Sequence, residues 1–198
     1  MNNCMRNRGN ITAVSDKITD VMNRMAAKKR AYYGPPIINE PNGISAVELV
    51  FDFTAEELNI ASELDNELAG IKLNILQLMR QKMYEINEIK NQEFSLIHGE
   101  LLPDHIFILD NDEIGLIDVD GIIYFDIEYD WALINITFGE KMPLPKSVNV
   151  EKFEFYRLCW KIIYLSATID CLVHVDSIYK WHRNIRENYL RDLKKMIQ

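Results

Sequence analysis

Residues 96–120 have the sequence LIHGELLPDHIFILDNDEIGLIDVD, which places acidic side chains and histidines on both sides of one predicted β-hairpin. A short apolar run ends in the tripeptide HGE at 98–100, and a loop then passes through His105 into the apolar run IFIL. A second apolar run, IGLI, delivers Asp118 at its end. Because Mg²⁺ prefers carboxylate and other oxygen ligands, this spacing predicts a magnesium and phosphate site at the hairpin.

The composition is that of an acidic globular protein. The chain has 198 residues, of which 48% are hydrophobic, and this is enough for a sizeable core in one domain or in a small two-lobed unit. The formal net charge of −8 predicts no nucleic-acid partner. A polyanion such as ATP would therefore have to be held by local geometry and a metal ion.

The cysteines and the apolar segments predict a reduced, cytoplasmic protein. Cys4, Cys159 and Cys171 share no zinc-like spacing, and the last two lie in apolar helical sequence, where thiols are usually packing residues. The sequence has no run of about 18 apolar residues, so no membrane span is predicted. The N-terminal sequence MNNCMRNRGN lacks the apolar region of a signal peptide.

The N-terminal part of the chain is predicted to contain one helix and two short strands. Apolar residues recur with helical spacing between residues 16 and 30, and Ser15 or Asp16 could cap this helix. Glycine and proline punctuate the following segment. The short apolar runs at 37–38 and 44–53 are predicted to be strands.

The remainder of the chain is predicted to be mainly helical, so that the fold class is α+β. Helical spacing continues from residue 54 to residue 89, as one long helix or as two helices broken near Gly70. A further helix is predicted to start near Asp126, where an acid is favourable. Two more helices are predicted at 151–172 and 175–197.

Three motifs in the second half of the chain carry a family resemblance. In chain order they are HGELLPDHIFIL, LIDVDG and FDIEYDWALI. They resemble the aminoglycoside phosphotransferase and choline kinase group, relatives of protein kinases with a His-Gly-Asp-Leu-x-Pro-x-Asn loop, an Ile-Asp strand and an Asp-Leu-Ala helix start. The resemblance implies a helical kinase-like C-lobe at 54–198 with a catalytic-loop hairpin, after a truncated N-lobe remnant and hinge at 1–53.

The resemblance also implies roles for individual residues. Phosphoryl transfer needs a metal that neutralises the phosphate oxygens and a carboxylate within reach of the attacking hydroxyl. Glu100 falls at the catalytic-base position, while His105 and Asp118 fall at the positions that bind the metal and the nucleotide phosphates. Asp130 matches a buried acid that braces the catalytic loop through backbone hydrogen bonds, and His98 likewise has an architectural role.

The chain departs from the family pattern at two of these positions. Glu100 stands where the family has Asp, and its extra methylene shifts the carboxylate by about 1 Å, an error that can cost about 100-fold in rate. His105 stands where the family has Asn. Imidazole is a softer donor than an amide oxygen and suits Mg²⁺ less well.

A kinase-like N-lobe also needs a glycine-rich loop and a phosphate-binding lysine on a strand. No glycine-rich loop occurs in the sequence, and Lys17, Lys28 and Lys29 all fall on the predicted first helix. A second protomer or a partner chain would then have to cover the nucleotide.

Two acids near the motifs have open interpretations. Asp120 is either a second metal ligand or a turn acid before Gly121. Asp126 is either part of a brace around the loop or a helix cap.

The sequence leaves two hypotheses for function. The first is a phosphotransferase that uses Mg²⁺ with ATP or GTP and transfers the γ-phosphate to a hydroxyl of a small molecule or a peptide. The second is a catalytically inactive, pseudokinase-like binding or scaffold module, because function resides in the site and not in the fold. The apolar face that an N-lobe would cover predicts a protein partner or a homodimer.

Overall fold

The computed structural model describes residues 2–3, 11–37, 44–86, 93–109, 113–139, 142–175 and 180–198. The chain is an α+β protein, mainly helical, with two small antiparallel sheets. None of the helices in these ranges is long and apolar enough to cross a membrane.

The helices and strands alternate in an irregular order along the chain. The described helices are α1 (Ile11–Ala26), α2 (Ala46–Leu64), α3 (Asn66–Ala69), α4 (Lys72–Ile86), α5 (Ile127–Phe138), α6 (Val150–His174) and α7 (Lys180–Met196). The described strands are β1 (Asn2–Asn3), β2 (Lys29–Arg30), β3 (Phe94–Ile97), β4 (Ile106–Ile108), β5 (Ile114–Leu116) and β6 (Ile123–Phe125). Two 3₁₀ turns, Pro103–His105 and Val119–Gly121, flank the β4–β5 hairpin.

The two sheets bring the three sequence motifs together. One sheet has the order β1-β4-β5, and the pairing of Ile106 with Leu116 confirms the predicted hairpin. The other sheet has the order β2-β3-β6, in which Ile97 pairs with Ile123. Because β3 and β6 are antiparallel, this pairing places the loop at 98–100 beside the turn Val119–Gly121 that precedes β6. Helix α5 follows β6 and packs against β3, and its Asp130 reaches the same loop.

The chain divides into two compact units, each built from two separate stretches of sequence. The first unit comprises Met1–Ala46 and Ile89–Arg157, and the second comprises Val47–Glu88 and Leu158–Gln198. The candidate site residues all belong to the first unit.

The core of the first unit lies around β3. Helix α1 packs against β3 and buries an i, i+4 stripe, which is the spacing that brings side chains to one face of a helix. Helix α5 also packs against β3. The stripe consists of Val14, Ile18, Met22 and Ala26.

The second unit is helical in its described part. Helix α2 buries Val50 and Leu58, helix α4 buries Ile75 and Met79, and helix α7 buries both of its leucines, at positions 190 and 193. Polar contacts also join the helices, since Ser166 Oγ donates to the Glu57 carboxylate at 2.6 Å.

The predicted strand at 44–53 is wrong, because these residues enter α2. The strand was predicted from the β-branched and aromatic residues of ISAVELVFDF. The buried positions Ala46, Val47, Val50 and Leu58 instead follow the helical period, and burial of this face outweighs the weak local preference for strand. The predicted boundary between the N-lobe remnant and the C-lobe, at residues 53 and 54, falls inside α2. The division into kinase-like lobes stays a prediction.

The prediction for the first helix is correct in type but wrong at both ends. The helix begins at Ile11, so Ser15 and Asp16 lie inside it and cannot be its caps. It ends at Ala26, and Lys29 lies on β2, where its Nζ donates to Ser95 Oγ at 2.7 Å. The predicted strand at 37–38 is absent at Ile37, which lies in a turn, and residue 38 lies outside the described ranges.

The later helices confirm the predictions from periodicity. The predicted break near Gly70 is present, because α3 ends at Ala69 and α4 begins at Lys72. Helix α5 begins directly after Asp126. Helices α6 and α7 cover most of the two helical segments predicted at the C-terminal end.

Candidate functional site

The loop at 98–100 is held by a buried carboxylate on α5. The backbone N–H groups of His98 and Gly99 donate to Oδ2 and Oδ1 of Asp130 at 2.8 and 2.9 Å. Burial raises the pKa of Asp130 to about 6, although the two N–H donors oppose the shift. The carboxyl is therefore mainly ionised at neutral pH and can accept both bonds. The structure thus places Asp130 where the resemblance implied a brace.

Two glycines allow the loop to lie directly on the turn that follows Asp118. Gly99 has φ +85°, and a Cβ there would lie 2.2 Å from the carbonyl oxygen of Gly121. A Cβ on Gly121 would in turn lie 3.0 Å from the carbonyl oxygen of His98. The loop and the turn therefore meet backbone to backbone, which brings the first two motifs into contact.

His98 links the same loop to the end of the hairpin. The side chain is buried, and its Nε2 lies 3.0 Å from the Ile117 carbonyl oxygen. Since a carbonyl only accepts, Nε2 carries the proton. Burial lowers the pKa of His98, and the bond to Ile117 opposes this shift only in part. Its Nδ1 has no hydrogen-bond partner within the described part of the chain. The neutral imidazole therefore has an architectural position, as the sequence predicted.

His105 points its second ring nitrogen at Asp118. Its Nδ1 lies 2.8 Å from the carbonyl oxygen of Glu100, so Nδ1 is the N–H donor of that bond. Its Nε2 lies 3.3 Å from Oδ2 of Asp118. In the neutral imidazole, Nε2 carries a lone pair, so two electron-pair donors face each other. A proton or a cation between them makes this arrangement favourable.

Asp118 adopts a backbone conformation that is unusual for a residue other than glycine. Its φ and ψ are 59° and 54°, and it is the one non-glycine residue in the described ranges with a positive φ. Such a conformation costs about 1–3 kcal/mol and is concentrated at functional sites. The strain places the carboxylate between β5 and the 3₁₀ turn, facing His105.

The Glu100 side chain is exposed beside this pair. Its carbonyl accepts from the ring of His105 and from the Leu102 N–H at 3.0 Å, so the backbone of Glu100 is fixed. The structure thus brings the His105 ring into contact with the Asp118 carboxylate and with the backbone of Glu100.

The acid at position 120 has a simpler position. Asp120 is exposed in the 3₁₀ turn Val119–Gly121, which agrees with the interpretation as a turn acid. In the described ranges, no group of three or more His, Cys, Asp or Glu side chains is arranged to hold a metal ion. His105 and Asp118 alone supply two donors, and further ligands would have to be phosphate oxygens or waters, as is usual for Mg²⁺.

Sequence reasoning missed a buried ionic network at the start of α5. Asp126 occupies the N-cap position, yet its side chain makes no capping bond there. Its carboxylate accepts instead from Lys152 Nζ at 2.8 Å and from the Tyr156 hydroxyl at 2.6 Å. The carboxylate of Glu128 accepts the Asn149 N–H at 2.8 Å, and burial raises its pKa. The one signal in the sequence was a lysine four residues before a tyrosine in an apolar helix.

The buried imidazole of His98 predicts a loss of stability in mild acid. Because its pKa is lowered, the folded state binds fewer protons than the unfolded state once the pH falls below 6.5, the ordinary histidine value. The stabilisation is complete above that value and is lost as the pH falls through the lowered pKa. We expect the difference in unfolding free energy between wild type and His98→Gln to shrink from about pH 7.5 to about pH 5.

Urea denaturation at a series of pH values measures this difference. Glutamine can still donate to the Ile117 carbonyl, and the opposite contribution of Asp130, whose raised pKa stabilises the fold in acid, is common to both proteins. His174→Gln, at an exposed position, serves as the control for the exchange of histidine for glutamine. A pH-independent difference for His98→Gln would contradict the prediction.

Comparisons with known proteins add no relative. No protein-family model matches the chain, and neither the curated proteins nor the solved structures contain a significant match. The function must therefore be inferred from the geometry of the loop, the hairpin and the start of α5.

Proposed function

We propose that the chain is a phosphotransferase of the kinase-like group, which transfers the γ-phosphate of ATP or GTP to a hydroxyl of a small molecule or a peptide. One observation carries the proposal. The imidazole of His105 is fixed by the Glu100 carbonyl at 2.8 Å and directs its other nitrogen to the Asp118 carboxylate at 3.3 Å. These contacts join the two side chains proposed as metal ligands to the backbone of the residue proposed as the base.

The donor set fits a divalent cation that is shared with a nucleotide. Protein Mg²⁺ sites commonly use one or two side chains and take their remaining ligands from phosphates and water. In this proposal, Asp118 and His105 hold the metal, and the metal neutralises charge on the phosphate oxygens. Neighbouring ligands of an octahedral Mg²⁺ lie roughly 2.8–3.0 Å apart, so the two donors, 3.3 Å apart here, would have to approach each other slightly on binding.

The other residues of the site then act on the acceptor and on the loop. Glu100 has an exposed carboxylate on a fixed backbone, so it can orient a hydroxyl or take its proton. Asp130 holds the backbone of the loop by accepting its N–H groups, and His98 ties the loop to the Ile117 carbonyl. Because position errors of about 1 Å reduce rates strongly, this rigid support favours a role in catalysis. A second protomer or a partner chain covers the nucleotide in this proposal.

A second candidate is a binding module without turnover. Two observations favour it. Glu100 is one methylene longer than the aspartate of the family pattern, and the described residues offer no third side chain that could bind a metal together with His105 and Asp118. In that case, the same residues would bind a nucleotide or another anion without transferring phosphate. The two candidates share the metal-binding residues and differ in turnover.

Thermal unfolding with magnesium and nucleotide tests the proposal. A ligand that binds only the native state raises stability by about 2.7 kcal/mol at 100 times its dissociation constant. We expect Mg²⁺ with ATP or GTP to raise the melting temperature of the wild type, and Asp118→Asn to abolish this rise. Asparagine has almost the same shape as aspartate and tolerates the left-handed backbone, so the variant should fold.

The matched control is Asp104→Asn, which removes an exposed carboxylate from the same loop and should leave the rise unchanged. No rise with either nucleotide would reject the proposal. A rise that disappears in Asp118→Asn, without release or transfer of the γ-phosphate to any of a panel of alcohols, would favour the binding module.

A further inference from the structure

The chain contains two described pairs of a histidine with a carboxylate, and they differ in the nitrogen that each uses. In the pair His174 and Asp170, one nitrogen, Nδ1, lies near both the backbone carbonyl and the carboxylate of Asp170, at 3.2 and 3.0 Å. One N–H group can serve both acceptors, so the neutral ring is satisfied. This pair needs no further ligand.

The pair His105 and Asp118 is arranged differently. Nδ1 is committed to the Glu100 carbonyl, while Nε2 faces the carboxylate. A histidine that donates one N–H to a carbonyl and turns its other nitrogen to a second donor has the orientation of a metal ligand, because the outer bond fixes the tautomer. The Asp118 side chain is 55% exposed and that of His105 is 13% exposed, so a hydrated ion can reach the carboxylate.

The chemistry of the two donors determines which ion fits. Mg²⁺ is a hard cation that prefers oxygen ligands and gives up its waters reluctantly. Imidazole favours transition metals, whereas carboxylate suits Mg²⁺, Ca²⁺ and Mn²⁺. Mn²⁺ shares the octahedral oxygen preference of Mg²⁺, but as a first-row transition metal it tolerates an imidazole nitrogen better than Mg²⁺ does.

We propose that the His105–Asp118 pair selects Mn²⁺ over Mg²⁺. The inference rests on the proposed function, because it names the metal of the same site. The nitrogen donor of His105 is the origin of the preference, and Asp118 supplies the charge.

The test uses the metal alone on the full-length, nucleotide-free chain. Titration with Mn²⁺, followed through the electron paramagnetic resonance signal of the free ion, measures binding, and Mg²⁺ competition measures selectivity. The Asp118→Asn protein, titrated in parallel, gives the binding to adventitious acidic sites, which is subtracted. We expect one Mn²⁺ to bind at this site, and we expect its displacement to require at least about a tenfold excess of Mg²⁺.

Variants at position 105 then identify the source of the preference. His105→Asn replaces nitrogen by a hard amide oxygen, and we expect Mn²⁺ binding to weaken at least about tenfold while Mg²⁺ binding stays the same or strengthens. His105→Asp, a second variant in case asparagine does not fold, should shift the preference to Mg²⁺. The matched control His174→Asn changes the other histidine pair and should bind Mn²⁺ as the wild type does.

The outcomes separate this inference from the proposed function. Mn²⁺ binding that is no stronger in wild type than in Asp118→Asn overturns the inference and indicates a plain ion pair between His105 and Asp118. An unchanged metal preference in both position-105 variants also overturns it, even where magnesium and nucleotide raise the melting temperature. Selective Mn²⁺ binding without any nucleotide-dependent rise supports the inference and rejects the phosphotransferase.

Discussion

Replacing Lys152 with methionine is expected to lower the free energy of unfolding by about 3–5 kcal/mol. The side chains of Lys152 and Asp126 are only 7% and 4% exposed, and their charged atoms lie 2.8 Å apart. Methionine fills a similar volume but removes the positive charge. The variant therefore leaves the buried carboxylate with the Tyr156 hydroxyl as its one side-chain donor among the residues that the structure describes, and an unpaired buried charge is costly. Urea denaturation at neutral pH measures the loss.

Lys161 on the same helix provides the control. It forms an ion pair with Asp192 at 3.0 Å, but the side chains are 15% and 40% exposed. Solvent screens a pair of this kind, so Lys161→Met should cost less than about 1 kcal/mol. Equal losses in the two variants would show that the network around Asp126 is not the source of the effect.

The second large effect is expected for Gly99→Ala. The new Cβ would lie 2.2 Å from the carbonyl oxygen of Gly121, and the backbone at position 99 has φ +85°. Both the contact and the conformation disfavour a side chain, and neither neighbouring backbone can move freely, because Asp130 holds the N–H of Gly99. We expect a loss of about 3 kcal/mol or more, from overpacking and the left-handed backbone together. The nucleotide-dependent rise in melting temperature should also disappear.

Gly70→Ala is the matched control for this substitution. Gly70 has φ −64°, and an added Cβ would meet its nearest atoms at 3.5 and 3.7 Å, which is ordinary contact. Alanine there should be neutral or stabilising by up to about 1 kcal/mol, since it restricts the unfolded chain. If Gly99→Ala were as stable as Gly70→Ala and kept the nucleotide response, the backbone contact with Gly121 could not be the feature that forms the site.

Local signals predicted the parts of the fold that depend on few residues. The hairpin followed from two apolar runs separated by polar residues, and the pairing of Ile106 with Leu116 confirms it. The interruption near Gly70 followed from a single residue with a strong positional preference and hardly depends on distant parts of the chain. The helix start at Asp126 was predicted in the right place, although its side chain bonds to Lys152 and Tyr156 and does not cap the helix.

The errors arose where distant contacts decide the structure. Helix α2 begins with residues that favour strands, and only the burial of its i, i+4 face selects the helix. The strand β2 consists of Lys29 and Arg30 alone, and its pairing with β3 spans more than 60 positions of sequence. No local pattern predicts such a pairing.

The membership of the site stays a prediction, whereas the hydrogen bonds of Asp130 to the loop are those that the resemblance implied. Glu100, His105, Asp118 and Asp130 fall in short motifs whose order indicated that they meet. The partners of Asp126, by contrast, lie in α6 and carry no motif. A lysine in an apolar helix has many possible partners, and the sequence cannot choose among them.

The first residues of α5 connect residues 149–152 with the loop at 98–100. Three acids there grip different parts of the chain: Asp126 holds α6 through Lys152, Glu128 holds the N–H of Asn149, and Asp130 holds the loop at 98–100. Because these anchors share one turn of helix, the position of the loop at 98–100 depends on the packing of residues 149–152 against the start of α5.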